Sequence, residues 1–298
     1  MKSPRISLEQ WLAFKTVVDE GSYALAAESL NKSQSAISYA ISRLNHQLPQ
    51  AVLRLEGRKA VMTEQGQVLY RYAEQLVKQA STAEAVANSL AMGFESEVTV
   101  AVDALIEIGA LLCAFEKFSR HFPHTRIRVL ETSLSGTTEA LIEKQADLVI
   151  GSVTPIGFSG IDLTRVTMIA VAAPDHALIK GKDDVSELQL RGYRQVVLRD
   201  TGSRQERDAG WLQAQQRWTV SHFSSSITLI KSGLAFGFLP ENWIAGELRR
   251  GELCRIPLPK SLDRTISMKL LLADNEAAGP ASRALADLIL EHYKAATV

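Results

Sequence analysis

The chain has 298 residues, enough for two domains or one large one, and 46% of them are apolar, enough for real cores. Thirty-three Lys and Arg balance 33 Asp and Glu, so the net charge is zero and no global electrostatic argument for nucleic acid exists. Any such argument must be local: the first sixty residues carry eight basic against five acidic side chains, a mild excess of about +3.

Two cysteines, Cys113 and Cys254, lie far apart in apolar runs without CxxC or Cys/His metal spacing, and are expected to be buried reduced thiols. The opening "MKSPRISLEQW" lacks the apolar centre of a signal peptide, and no apolar run approaches the roughly 18 residues that span a bilayer. A cytoplasmic setting with no membrane partner is the expectation.

Ser7 and Gln10 stand three apart as a capping box requires, and Leu8, Leu12, Phe14 and Val18 follow at near-helical spacing. Gly21 ends this helix. In "SYALAAESLNKSQSAISYAISRL", Ser22 caps a second helix with Leu25, Ala26 and Leu30 on its apolar face. "NKS" makes a tight turn, and Ser33 caps a third helix that runs to about Leu48 and stops at Pro49. Three short helices with abrupt turns are a helix-turn-helix arrangement, with Ala26, Ala27, Leu30, Ile37, Ile41 and Leu44 as expected core. "VLRLEGRKAVMT" alternates around Glu56-Gly57 and predicts a small hairpin or wing. From Glu64 to Met92 a helix of about 28 residues, roughly 42 Å long, carries the stripe Val68, Leu69, Tyr72, Leu76, Ala80, Ala83, Ala87 and Leu90. A second copy of the chain is the natural partner for that stripe, with packing on its own chain as the alternative.

After Gly93 the pattern becomes strand and helix in turn: "EVTVAV", "IGALLCAFEKFSRHF", "RIRVLE", "TTEALIEK" and "ADLVIG". This βαβαβ order predicts a parallel sheet with helices on both faces. "TMIAVAA", "QVVLRD", "WTVSHF", a helix near Ile227 to Ser232, "GLAFGFLP", a helix from about Glu241, "ISMKLLLAD" and a helix from Pro280 to Lys294 complete two α/β lobes with a cleft between them.

This order of elements, and the motifs "GSYALAAESLNKSQSAISYAISRLNHQL", "GRKAVMTEQGQVL", "FPHTRIRV", "ADLVIG", "VAAPDHAL" and "GFLPENWIAGEL", resembles the LysR-type transcriptional regulators along essentially the whole chain. The chain departs from the family pattern at Pro49, where a glycine is usual, at Leu53, where a phenylalanine is usual, and at Tyr39, often arginine. The resemblance implies an overall α/β fold: a winged helix-turn-helix over 1–63, a linker helix over 64–93, and a two-lobed effector domain over 94–298 like a periplasmic binding protein. Lobe I takes about 97–165 and 266–298, and lobe II about 166–265. It also implies a homodimer, and a homotetramer built from two such dimers bending DNA, and it leaves a contact with RNA polymerase open.

A third helix lying in the major groove presents short hydrogen-bonding groups to base edges and phosphate. Ser33, Gln34, Ser35 and Ser38 meet that demand, Gln34 suits adenine, and Ala36 suits a thymine methyl. Tyr39 is placed on base or phosphate and Arg43 on phosphate. Ser22, Tyr23 and Lys32 would hold the backbone from the second helix and turn, and Arg54, Arg58 and Lys59 from the wing.

In the C-terminal half, ligands are expected at the carboxyl ends of parallel strands. The first strand ends at Asp103 and Ala104, and the second at Glu131. Ser133, Ser135, Gly136 and Thr137 then precede a helix, a good seat for a carboxylate or polar oxygen. Ser152 and Thr154 follow the third strand, while Arg199, Asp200, Thr201, Phe223 and Ser224 face them from the second lobe. Asp103 with Glu131 could instead favour a cationic or hydroxyl-bearing ligand, and Phe158 with Phe223 an aromatic ring. Each hydroxyl also has a bland reading as a helix cap, and Arg199 with Asp200 one as a structural ion pair. His121, His124 and His176 lie in loops, and no metal or cofactor is expected.

A small organic effector and double-stranded DNA are therefore the expected partners. An α/β enzyme lacks support, because GxSxG, P-loop and GxGxxG motifs are absent. A receptor-type binding protein without DNA activity does not account for the N-terminal module.

Overall fold

The computed structural model describes residues 3–56, 59–180, 184–204, 210–259, 262–274 and 276–296. They fall into two units, Met1–Met92 and Gly93–Val298.

Helix α1 (Leu8–Glu20) starts at the capping box of Ser7 and Gln10 and ends at Gly21, whose φ of 70° is the left-handed C-cap that glycine adopts without strain. Helix α2 (Tyr23–Ser29) is capped by Ser22, and helix α3 (Gln34–Gln47) by Ser33. Asn31 turns the chain between them at φ 51°. Strands β1 (Leu53–Glu56) and β2 (Lys59–Met62) pair antiparallel as the wing, so the hairpin forms with Pro49 and Leu53 in place. Its turn residue Arg58 lies outside the described residues. Helix α4 (Glu64–Ala91) runs 28 residues from its Thr63 cap.

One core holds this unit together: Ala13, Phe14, Val17, Ala26, Ala27, Ile37, Ile41 and Leu44, with Val52, Leu53 and Ala73. The expected faces shift by one position in two helices. Leu8 is 45% and Leu25 51% exposed, because Ala13 with Val17 and Ala26 with Ala27 take the inner arcs. Leu30 is half-buried. Leu69, Tyr70 and Ala73 of α4 pack on this core, whereas Val68, Tyr72, Leu76 and Leu90 stay exposed. Tyr70 donates a hydrogen bond to Asp19 of α1. That carboxylate, with some burial, pushes the Tyr70 phenol up to about 12.

The second unit has one mixed sheet. Its strands are β3 (Glu97–Asp103), β4 (Arg126–Thr132), β5 (Leu148–Gly151), β6 (Gly160–Ala172), β7 (Arg194–Leu198), β8 (Gln216–Val220), β9 (Phe236–Pro240), β10 (Cys254–Arg255) and β11 (Arg264–Leu272). The helices are α5 (Leu112–His121), α6 (Ser135–Ile142), α7 (Glu187–Arg191), α8 (Phe223–Lys231), α9 (Ala245–Arg250) and α10 (Pro280–Ala296), with 3-10 turns at Ile108–Leu111 and Glu241–Ile244. The order is β4-β3-β5-β11-β6-β9-β7-β8, with β10 beside β6.

The parallel strands expected from the βαβαβ order form, within a sheet that is mixed as a whole. β3, β4 and β5 are parallel, as are β7, β8 and β9, but the long strands β6 and β11 run antiparallel between the two groups. Each long strand carries the chain from one group to the other, so neither can follow the βαβ direction. β3 is buried on both faces, as a strand between helical layers must be. Val98, Val100 and Val102 face α5 and α10, and Ala101 faces the α6 side with Ala140 and Leu141. Leu285 and Ile289 of α10 complete the first of these cores. Glu95 caps that helix, accepting from the Ala281 and Ser282 amides at 3.0 and 2.9 Å.

The cysteine expectation is corrected: Cys113 is exposed and Cys254 half-buried. Ala114 and Phe118 take the buried face of α5, which leaves position 113 on the outer arc.

A Cβ at Gly66, in the first turns of α4, would lie 2.1 Å from the Val52 carbonyl oxygen. Gly66→Ala should therefore destabilise the N-terminal unit by about 1–3 kcal/mol, read as a lower denaturant midpoint. An unchanged midpoint would show that the joint between wing and helix yields freely.

Candidate nucleic-acid interface and effector cavity

Helix α3 divides along its length. Ile37, Ile41 and Leu44 point into the core, while Gln34, Ser35, Ala36, Ser38, Tyr39 and Arg43 are exposed. Tyr39 is 67% exposed. The two capping serines use their oxygens on backbone: Ser22 accepts from the Leu25 amide at 3.1 Å and Ser33 from the Ala36 amide at 3.2 Å. Ser33 and Ser35 also share a hydrogen bond of 2.9 Å. The start of α3 is thus a short, hydroxyl-lined, exposed surface. Tyr23 is half-buried against the core, and burial raises its phenol above the ordinary value. Lys32 pairs with Glu9 of α1, and Arg54 with Glu56 across 2.8 Å. Both pairs are exposed and of the kind worth little in water, so neither holds its cation firmly. Lys59 is exposed on the wing.

In the second unit the strand ends surround a cavity of about 240 Å³. Asp103, Ser133, Ser152 and Phe223 line it, as do Gln195, Trp211, Ser226 and Phe238, which the sequence did not single out. Glu131 is not among them. The β3–β4 register pairs Asp103 with Thr132, so Glu131 points to the other side of the sheet. There it lines a separate recess of about 80 Å³ with Ala104, His222 and Trp243, reached also by Phe223 and Ser224. Phe158 packs with the Ala140 and Leu141 core, away from the cavity. His176 is buried, accepting from the Leu178 amide and lying 5.3 Å from the Tyr193 ring. No group of three His, Cys, Asp or Glu able to hold a metal occurs among the described residues.

The remaining candidates form a junction beside the cavity. Asp200 accepts from the Ser135 and Gly136 amides at the start of α6, at 3.0 and 3.3 Å, and from the Ser135 hydroxyl at 2.6 Å. Ser133 donates to the Arg199 carbonyl at 2.7 Å, and its amide donates to Thr201 Oγ1 at 2.8 Å. Glu139 of α6 answers by accepting from the Ser203 and Arg204 amides, which hold its carboxyl below the usual range. Arg199 gives its Nε–H to the Asp200 carbonyl rather than to the carboxylate. The seat expected for a ligand carboxylate is therefore filled by the chain's own aspartate. Leu134, between these contacts, has φ 51° and ψ −115°, a backbone conformation that costs energy for a leucine.

Asp103 is 5% exposed and accepts from the Leu105 amide at 3.0 Å and from the Thr137 hydroxyl at 2.9 Å. Burial pushes its carboxyl above the ordinary range. The two hydrogen bonds oppose that shift, and the Asp200 charge adds to it.

An exposed polar helix beside a wing, together with a two-group α/β unit around a cavity, defines a DNA-binding regulator with a ligand-binding domain. Residues 8–67 match the family of bacterial regulatory helix-turn-helix proteins of the lysR type, and residues 92–294 match the LysR substrate binding domain. The chain belongs to the LysR family of transcriptional regulators. It is 30% identical over 229 residues to YeeY of Escherichia coli K12, an uncharacterized HTH-type transcriptional regulator, covering 74% of this chain and 73% of that protein. YhaJ of the same organism, a probable HTH-type transcriptional regulator, is 26% identical over 265 residues, covering 87% of this chain and 88% of that protein. The fold is that of full-length LysG from Corynebacterium glutamicum with bound effector Arg, at a TM-score of 0.53 and 18% identity, over 96% of this chain and 98% of that one. The family is one of transcription regulators, not of enzymes. No helix among the described residues is long and apolar enough to cross a membrane.

Because the native Asp103 carboxyl holds its proton above the ordinary aspartate value of about 3.9, the folded state binds more protons than the unfolded one just above that pH. Stability falls as pH rises through this window. Asp103→Asn, which can keep the Leu105 contact through Oδ1 and donate to Thr137 Oγ1 through Nδ2, should remove that decline, and its advantage over the native chain should grow as pH rises above about 4. Parallel stability curves for the two chains would show that Asp103 titrates normally.

Proposed function

We propose that this chain is a cytoplasmic, non-catalytic LysR-type regulator that reads duplex DNA through the exposed face of α3 and the wing, under control of a small organic effector in the 240 Å³ cavity. The observation that carries the DNA reading is the partition of α3, with Ile37, Ile41 and Leu44 buried and the hydroxyl and amide face open. In the proposed assignment Gln34, Ser35, Ser38 and Tyr39 meet base edges, and Ala36 meets a thymine methyl. Ser22, Tyr23, Ser33, Lys32, Arg43, Arg54 and Lys59 hold phosphates. Arg58 belongs with them by sequence. The proposed division is a DNA-binding domain over 1–63, a linker over 64–93 and an effector domain over 94–298.

LysR regulators form oligomers, and the exposed Val68, Tyr72, Leu76 and Leu90 of α4 support pairing with a second copy along that helix. Pairing two α3 helices supplies the fixed half-site spacing that one helix lacks. Asp103, Ser133, Ser152 and Phe223 are the proposed effector contacts of the sequence reading that line the cavity. Ser135, Gly136, Arg199 and Thr201 act beside it by holding the two strand groups together.

Gel shifts across a library of half-sites test the assignment. Gln34→Ala should cost about 1–3 kcal/mol at one base position and leave other positions alone. With Lys32, Arg43, Arg54, Arg58 and Lys59 each on a phosphate, a dimer should show log K falling against log salt with a slope of about −9. Equal affinity for all sequences, or a slope near zero, would refute the DNA reading.

A further inference from the structure

Strand β6 has a bare edge. Val171 pairs with Gly237 of β9 on one edge and with Arg255 of β10 on the other. The Ala170 carbonyl accepts from the amide of Ile256, the residue after β10, at 2.9 Å. An antiparallel strand turns the amide and carbonyl of successive residues to alternate edges. Counting back from Ala170, Val166 and Thr164 turn theirs to β11, while Thr167 and Arg165 turn theirs to the β9 edge. β9 stops short of them at Pro240, opposite Met168. The N–H and C=O groups of Arg165 and Thr167 therefore have no hydrogen-bond partner among the described residues. An unpaired strand edge is a template for another extended segment.

This edge opens into a groove of about 410 Å³ that shares no lining residue with the effector cavity. Glu107 walls it from the β3 group, Glu241 and Asn242 from the turn after β9, and Tyr293 from α10. Val166 is buried and Thr164 and Thr167 are half-buried, so the floor is sheltered, where a hydrogen bond counts for more. Glu107, Glu241 and Arg165 bring charge of both signs, and none makes an ion pair among the described residues. Burial, aided by the Glu107 charge, raises the Tyr293 phenol above its ordinary value, which places that carboxylate near the α10 wall. A free peptide carries the complement of all these features: backbone amides and carbonyls for the edge, an ammonium for the acids and a carboxylate for the guanidinium. At about 3.3 Å per residue, three residues span the stretch from Arg165 to Thr167.

We propose that this groove is a second binding site, where a short free peptide adds to β6 as a further strand, with its ammonium at Glu107 and Glu241 and its carboxylate at Arg165. Its walls come from both strand groups, so an occupant bridges the same two groups that Asp200 ties together.

Trialanine and trisarcosine are isomers with the same charged ends, and only the first has internal backbone N–H groups. Each is titrated into the full chain labelled with fluorotyrosine, and the Tyr293 fluorine resonance, assigned through Tyr293→Phe, reports the place of binding. Trialanine should bind about tenfold more tightly than trisarcosine, the worth of one or two hydrogen bonds. Glu107→Gln together with Glu241→Gln should weaken trialanine about threefold and change N-acetyl-trialanine amide, which has no charged ends, less than about 1.5-fold. Trisarcosine binding as tightly as trialanine, or a double variant that binds as the native chain does, would overturn the proposal. So would the absence of trialanine binding, or binding that leaves Tyr293 unmoved. Binding that appears only once residues 297 and 298 are deleted would overturn it too, by giving the groove to the chain's own end.

Discussion

The carboxylate of Asp200 is the interaction on which the C-terminal unit turns. It follows β7 in one strand group and caps α6 in the other, so the two groups meet through a charge-assisted contact as well as through the long strands β6 and β11. Glu139 returns the contact from α6 to the loop after Asp200, which makes the junction two-way. The cavity lies beside this junction and shares Ser133 and Leu134 with it. A molecule entering the cavity therefore presses on the same segment that ties the strand groups together. Leu134 keeps a costly backbone conformation at that point, as segments that change on binding often do.

The amino-terminal unit has a different logic. Its serines stand where the backbone needs an oxygen: Ser7, Ser22 and Ser33 each cap a helix. The small residues Ala26 and Ala27 let α2 sit close on its neighbours. At the start of α3 the exposed side chains are short, Gln34, Ser35, Ala36 and Ser38, and Tyr39 follows them. That ring, open to solvent, is the largest side chain on the exposed face of α3.

Much of this was legible in the sequence because it is local. A cap and its amide are three residues apart, and a helical face repeats every few positions. The capping box at Ser7, the turn at Asn31, the wing and the length of α4 all follow from such short-range rules. The cavity does not. Gln195 and Phe238 sit in strands that read as ordinary core, and Trp211 lies in a loop with no pattern of its own. Asp200 meets Ser135 across 65 positions, a pairing that no periodicity announces. The first half of β6 escaped for a related reason: from Gly160 it mixes exposed and buried positions without clean alternation, and only "TMIAVAA" read as strand. The face of α5 that leaves Cys113 outside was readable from Ala114 and Phe118, but the apolar run around it hid the phase.

The place of α10 bears on how the molecule comes into being. The first strand of the C-terminal unit, beginning at Glu97, shares its core with Ala281, Leu285 and Ile289, and Glu95 beside it caps the same helix. A chain leaving the ribosome has its first unit in full once Met92 is out. The core on the inner face of β3, covered in part by α5, waits for α10 before it is complete. The two halves of this regulator thus mature on separate clocks, and a message cut short inside α10 leaves the reading head without a finished ligand sensor.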